Sequence, residues 1–441
     1  MRCSYWFILK LSFFAIFIVL IWRTSQFYCT NQQSIDTSIA STTSVTSSSS
    51  APCPSLSACP TDCPSSSSSS SILLPSSISR SDIVHIAVVL SLAKEPSHIA
   101  EFHLLYESWR FIQIFSPLSE QVIIDLIVFC ELPSCYQLPV NCIPLSYNYK
   151  LNLIPDCFYQ KLEDQIVSDW KDYLYMTSIA FMVTLQYQQA TMNYKWILRV
   201  DQDAILSPGL FLGLLRKHPI KLQKKQFGGL GHGTEFTNIR LRMIAKKLGY
   251  THMGIHNLCS TWLVSPKDSI KIANLTTHIG RYLLRNEFGR HVPGIEDLPN
   301  IGEWPKWWRG VTSLYAGEIA INHIYSSSLS HQHEASVLDH PSDSQDSLWT
   351  AWHIHCLHNP TYFAKFRHRD DLYYFLRRSQ TKRIRIIKDY YSAQSIIKGI
   401  IDEFYGTYMK NETVTGKISV RDYVTVLAWR KAYAATGAIN L

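Results

Sequence analysis

Lys195-Trp196-Ile197-Leu198-Arg199-Val200-Asp201-Gln202-Asp203-Ala204-Ile205-Leu206 joins an apolar, β-prone run to two carboxylates spaced i, i+2. In an extended backbone, residues two apart point to the same face. Asp201 and Asp203 are therefore expected to look at one point just past a strand end. Open α/β sheets bind ligands in that place, in the crevice outside the carboxyl ends of their strands. One or two carboxylates that leave a divalent cation free for substrate phosphates are the usual arrangement in phosphate-handling sites. Ser207-Pro208-Gly209 then supplies an N-cap and a proline at N1, which predicts a short helix over Gly209 to Leu215.

Working outward, Ile83 to Leu90 is short, β-branched and nearly continuous, as a strand buried on both faces should be. Pro96 to Phe115 has helical spacing of Ile99, Phe102, Leu105, Trp109 and Ile112. A second buried strand is expected at Val122 to Phe129 and a helix at Tyr173 to Tyr187, before the strand that carries Trp196. Gly228-Gly229-Leu230-Gly231-His232-Gly233 resembles a phosphate loop, but Thr234 stands where the dinucleotide fingerprint needs glycine, so it reads as a mobile loop. A helix over Thr237 to Leu248 and a strand ending at Val264 follow. Strands alternating with helices imply an α/β fold with a mainly parallel sheet and right-handed crossovers. The domain is placed at 83–375, with a helical C-terminal extension at 376–441.

The amino-terminal end sets the compartment. Tyr5 to Trp22 is apolar apart from Lys10 and Ser12, and contains no Pro, Gly or acid. As a helix it would span roughly 27 Å, enough for a thin ER or Golgi bilayer. Arg2, Lys10 and the amino terminus against Arg23 favour a cytosolic tail at 1–4 and a signal-anchor at 5–22. Residues 23–82 form a Ser/Thr-rich stalk that cannot bury enough apolar surface to order itself. Cys53, Cys59 and Cys63 within it suit disulfides, including ones that link two copies of the chain. The chain is therefore expected to be a single-pass type II protein of the Golgi membrane with its domain in the lumen. Asn274-Leu275-Thr276 and Asn411-Glu412-Thr413 are N-glycosylation acceptors that fit that compartment.

Of eleven cysteines, Cys130, Cys135, Cys142 and Cys157 crowd into one stretch and read as two local disulfides of open pairing. The formal charge of +8 is modest and spread out. Its densest part, Arg377 to Lys388, reads as a solvated helix face, so no nucleic-acid partner is expected. Asn411 to Asp422 follows EF-hand spacing, yet its odd positions lack acids, and a helix-turn-helix with Gly416 in the turn is the expected structure.

The Asp-x-Asp at Asp201 and Asp203 resembles the signature of GT-A glycosyltransferases, which holds a metal against the diphosphate of a nucleotide sugar. Asn257-Leu258-Cys259-Ser260-Thr261-Trp262-Leu263-Val264, Leu314-Tyr315-Ala316-Gly317-Glu318 and Trp352-His353-Ile354-His355-Cys356-Leu357-His358 extend the likeness. Together they resemble an uncharacterised eukaryotic family of membrane-anchored GT-A-type transferases, from about Trp196 to Lys365. The resemblance implies a late histidine completing the metal shell, with His355 favoured over His353 and His358. It also implies a cation meeting the diphosphate, at Lys365 or Arg367. Asp201 would bridge to ribose or metal, and Asp203 would bind metal. Imidazole beside carboxylate and phosphate oxygens suits Mn²⁺ better than Mg²⁺.

Glu318 follows Gly317 in an apolar stretch, where a carboxylate must be paired or catalytic. It is the candidate general base of an inverting transfer, against a helix N-terminal cap or a buried salt bridge. Trp304, Trp307 and Trp308 suit sugar platforms or core packing equally. The expected activity is metal-dependent transfer of a sugar from a nucleotide diphosphate sugar to a glycan or glycoprotein acceptor. The opposing reading is a membrane-anchored carbohydrate-binding or scaffolding protein that keeps the fold without turnover.

Overall fold

The computed structural model describes residues 83–115, 122–146, 149–216, 225–229, 231–289, 302–329, 337–356, 390–410, 416, 418–434, all within one unit running from Leu74 to Leu441. The expected signal-anchor, the stalk and its cysteines, His358, Lys365, Arg367, the basic run 377–388 and Asn411 lie outside the described residues. Among the described residues no helix is long and apolar enough to cross a membrane.

The strands are β1 (Val84–Leu92), β2 (Val122–Cys130), β3 (Cys142–Pro144), β4 (Cys157–Lys161), β5 (Trp196–Arg199), β6 (Ala204–Leu206), β7 (Gln226–Gly228), β8 (Thr261–Val264), β9 (Gly302–Glu303), β10 (Trp307–Trp308), β11 (His340–Pro341) and β12 (His353–His355). The longer helices are α1 (Pro96–Gln113), α2 (Pro208–Arg216), α3 (Glu235–Lys247), α4 (Pro266–Asn286), α5 (Thr312–Ile324), α6 (Tyr390–Lys410) and α7 (Val420–Ala434). The main sheet has seven strands in the order β3-β4-β2-β1-β5-β8-β7. Strands β3 to β5 run parallel to β1, and β8 pairs antiparallel with both β5 and β7. The expected α/β class and mainly parallel sheet are present, with an antiparallel strand at one side.

The central strand is apolar because helices cover both its faces: Val84, Ile86, Val88 and Leu90 join one core, Ala87 and Val89 the other. Burial of such apolar area is worth about 25 cal/mol per Å². The first core also contains α1 and the apolar faces of α6 and α7, including Ile397, Phe404, Tyr423 and Trp429. The C-terminal helices are thus part of the same core, not an appendage to it.

One local expectation changes and another gains its pairing. The helix expected over Tyr173 to Tyr187 is instead a chain of short turns, Leu174–Met176, Thr177–Ala180 and Phe181–Val183, before a new helix at Leu185–Thr191. Thr184 breaks it, because its hydroxyl accepts from the Tyr187 amide at 3.1 Å and so caps the later helix. The four clustered cysteines form the two expected local disulfides: Cys130–Cys135 closes the end of β2 onto the short helix Leu132–Cys135, and Cys142–Cys157 joins β3 to β4.

The site is set by topology. The chain lays β2 on one side of β1 and later β5 on the other. The carboxyl ends of β1 and β5 therefore flank the switch point of the sheet, where open α/β folds bind ligands. Asp201 follows β5 at that point.

Candidate active site

Arg199 is the last residue of β5 and is buried. Its guanidinium donates to the Ser178 carbonyl at 3.2 Å, to the Ser260 carbonyl, and to Asp201 Oδ1 at 2.6 Å. Asp201, a quarter exposed, is thereby tethered to the strand that carries it. Sequence reasoning missed Arg199, although a charge inside an apolar strand demands a partner and was a signal for one.

Asp201 and Asp203 do not sit on one extended strand. The Ala204 amide donates to the Asp201 carbonyl at 3.2 Å, closing a turn over Gln202 and Asp203. Gln202 donates to Glu101 of α1 at 3.3 Å, which holds the turn against that helix. Asp203 is largely buried, so the two acids occupy different environments. The expected shared face fails because the chain must turn to start β6.

Strand β6 is fixed from three directions. Its Leu206 amide donates to Ser108 Oγ of α1 at 2.9 Å, and its Leu206 carbonyl accepts from Tyr423 Oη of α7 at 2.8 Å. On its third side it pairs antiparallel with β12, in a small sheet ordered β11-β12-β6. The register sets His355 opposite Ala204, the neighbour of Asp203, and His353 opposite Leu206.

Behind these histidines lies Asp339, fully buried and at a positive φ of 57°. It accepts hydrogen bonds from Ser260 Oγ and, at 2.6 Å, from Thr261 Oγ1. His353 Nδ1 lies 3.0 Å from its Oδ1, and His355 Nδ1 lies 3.8 Å from the same oxygen. Burial alone would push the carboxyl up, but the bond and charge of His353, the charge of His355 and the Ser260 hydroxyl hold it well below the usual range. A carboxylate behind a ring nitrogen orients an imidazole and leaves its other nitrogen to bind elsewhere. His353 is fully buried, whereas His355 is partly exposed on a strand position opposite Ala204, the residue after Asp203. Asp339 carried no signal in the sequence.

Among the described residues no group of three or more His, Cys, Asp or Glu side chains is placed to enclose a metal ion. The expected set Asp201, Asp203 and His355 is therefore not a closed cage: Asp201 is engaged by Arg199 and His355 is turned toward Asp339. What relates the remaining donors is register: His355 of β12 lies opposite Ala204, which follows Asp203, one imidazole and one carboxylate of the types that bind a cation together with phosphates.

Glu318 has a different environment from that of a base. It lies in the middle of α5 and is completely buried. Its oxygens accept from His232 Nε2 and His252 Nε2, both at 3.2 Å, from His256 Nδ1 at 2.8 Å and from the Asn257 amide at 2.8 Å. Burial would raise its pKa, yet the three imidazole bonds outweigh it and hold the carboxyl well below the usual range. A carboxylate so engaged accepts protons poorly and has no face for an acceptor hydroxyl. Of the readings open in the sequence, the buried ion-paired one describes it. The hub ties the Gly228–Gly233 loop and the segment 251–257 to α5. Gly229 serves packing in that loop, since a Cβ there would run into the Asn257 carbonyl. The three histidines were not singled out in sequence because they reach Glu318 from two loops distant from α5, His232 from one and His252 and His256 from the other.

The tryptophans divide. Trp307 is core, stacked between Phe288 at 5.3 Å and Tyr315 at 4.7 Å, whereas Trp304 is half-exposed.

The family DUF7164, described as a domain of unknown function, matches residues 80–440. The chain belongs to this family. No curated protein matches it. Among solved structures it is similar to mouse xyloside xylosyltransferase 1 in its apo form, at 13% identity and a TM-score of 0.31, over 59% of this chain and 87% of that one.

Proposed function

We propose that this DUF7164 member is a metal-dependent glycosyltransferase that moves a sugar from a nucleotide diphosphate sugar to a glycan or glycoprotein acceptor. The observation that carries the reading is the Asp201–Asp203 turn at the switch point of a mainly parallel sheet, with His355 brought opposite Ala204 by the β6–β12 register. Asp203 and His355 would hold Mn²⁺, and Asp201, oriented by Arg199, would reach ribose or metal. When bound, the cation would supply charge neutralisation of the diphosphate leaving group. The protein's own part is positional: Ser108, Tyr423 and β12 fix β6, Asp339 orients the imidazoles, and Arg199 sets Asp201. Lys365 is proposed as the cation that meets the diphosphate. Glu318 is not proposed as a base.

The protein would act in the Golgi lumen, anchored by residues 5–22, with stalk cysteines able to link two copies. Asn274 is exposed on α4 and open to glycosylation in that compartment. The deciding experiment is a screen of nucleotide sugars for Mn²⁺-dependent release of nucleoside diphosphate by the full chain. Release that disappears in Asp203→Asn supports the transferase. Saturable sugar binding with no release from any donor supports the non-catalytic reading.

A further inference from the structure

Beside β4, the helix Leu185–Thr191 and residues that follow β3 line a half-open cavity of about 600 Å³. Four side-chain amides line it: Gln160 from β4, Gln186 and Gln189 from the helix, and Asn193 from the turn before β5. Two phenols, Tyr149 and Tyr194, add aromatic surface. The Tyr194 hydroxyl is already committed to Asp125 Oδ2 at 2.7 Å, so that residue offers its ring. Among the described lining residues there is no Asp, Glu, Lys, Arg or His.

This composition selects a ligand class. Each amide brings two N–H donors and one carbonyl acceptor, a match for hydroxyls that both give and accept. An anionic ligand would need charge-assisted partners, and the lining supplies no cation. A purely apolar ligand would bury four amides without partners, which is unfavourable. The ring faces, with Leu151 and Met192, suit the C–H faces of a pyranose. The volume falls within the range of small-ligand clefts, about 300–1,000 Å³. The place is distinct from the Asp-x-Asp site: Tyr194 precedes β5 and Asp201 follows it, separated by roughly 20 Å of extended chain.

We infer that this cavity is a saccharide-binding site for one or two neutral sugar units, separate from the Asp201–Asp203 turn. It does not depend on the transferase reading, because a carbohydrate-binding protein without turnover would use it equally.

Saturation-transfer NMR on the full chain tests it, with lactose, cellobiose, xylobiose and mannobiose as probes and the neutral peptide Gly-Ser-Gly-Ser as control. At least one disaccharide should receive saturation on its ring protons, without Mn²⁺ or nucleotide. Its affinity should weaken about tenfold or more in the double variant Gln186→Ala, Gln189→Ala, and stay unchanged in Asp203→Asn. Alanine is favoured in helices, so the double variant should keep its fold, and Asn193→Ala provides a second, non-helical probe. No saturation of any of the four sugars, equal binding by both pocket variants, or transfer to the peptide instead of a sugar would each overturn the inference.

Discussion

Arg199 Nη2 lies 2.6 Å from Asp201 Oδ1, and the same guanidinium grips the carbonyls of Ser178 and Ser260. One buried cation thus joins the end of β5, the short helix Thr177–Ala180, the residue before β8 and the first acid of the candidate site. The carboxylate is oriented from within the protein, by a guanidinium that holds its Oδ1.

Breaking that tether should be expensive. Arg199→Met keeps the length of the side chain but leaves two carbonyls and a partly buried carboxylate without their donor. The expected loss is about 3 kcal/mol in urea unfolding. A stability equal to that of the parent would show that the guanidinium contributes nothing to holding the turn.

Glu318→Gln separates a structural hub from a base. The neutral amide cannot satisfy three imidazole donors at once, so unfolding should become easier by about 3 kcal/mol. The pH dependence has a definite sign. A carboxyl held low in the folded state contributes stability above its ordinary pKa and loses it as pH falls toward the folded value. The stability gap between parent and variant should therefore be full at pH 7 and shrink below about pH 4.5. A variant that unfolds like the parent yet loses turnover would restore Glu318 to the catalytic role.

Asp125 should behave in the opposite way. Burial pushes its carboxyl up to about 7, against the bonds from the Asp156 amide and Tyr194. A raised acid is protonated in the folded state while the unfolded chain is ionised, so stability falls as pH rises from about 4 to 7. Asp125→Asn is nearly isosteric and does not titrate. Relative to the parent it should gain stability progressively across that window, as read from denaturation midpoints at successive pH values. A difference that stays constant with pH would contradict the raised pKa.

The disulfide Cys142–Cys157 closes a loop at the sheet edge. Loop closure of that length is worth about 3 kcal/mol. The double variant Cys142→Ser, Cys157→Ser should lose stability of that order while binding at the Asp-x-Asp turn, several strands away, is retained. Equal loss of both would mean that the edge is coupled to the site.

Much of this organisation could be read from the chain and some could not, for physical reasons. Continuous apolar runs such as Val84 to Leu92 declare strands buried on both faces, and Ser207-Pro208 declares a helix start; both depend on neighbours in sequence. The carboxyl end of β5 was legible for the same reason. The turn at Gln202 was not, since the pull of Glu101 and the pairing of β6 with β12 come from distant segments. Asp339 and the histidines around Glu318 are long-range groups whose roles exist only once the turns meet. Arg199 lay between. Its burial could be inferred from its strand, its partners could not.

Asp203→Asn is the sharpest test of the site. On the proposed reading the diphosphate is held through a metal, and removing one of the two protein ligands proposed for it would forfeit most of the shared coordination. Metal-dependent binding of a nucleoside diphosphate should therefore vanish in calorimetry. The metal-free protein should melt at nearly the parent temperature, because replacing an acid beside Asp201 removes like-charge repulsion from the site. A turn residue with no metal role makes the opposite pair of predictions. Its loss would cost about 1 kcal/mol, as for a missing cap, and ligand binding would be untouched. Both quantities measured on one variant separate the two, and intact binding with lowered stability would remove the metal site from this turn.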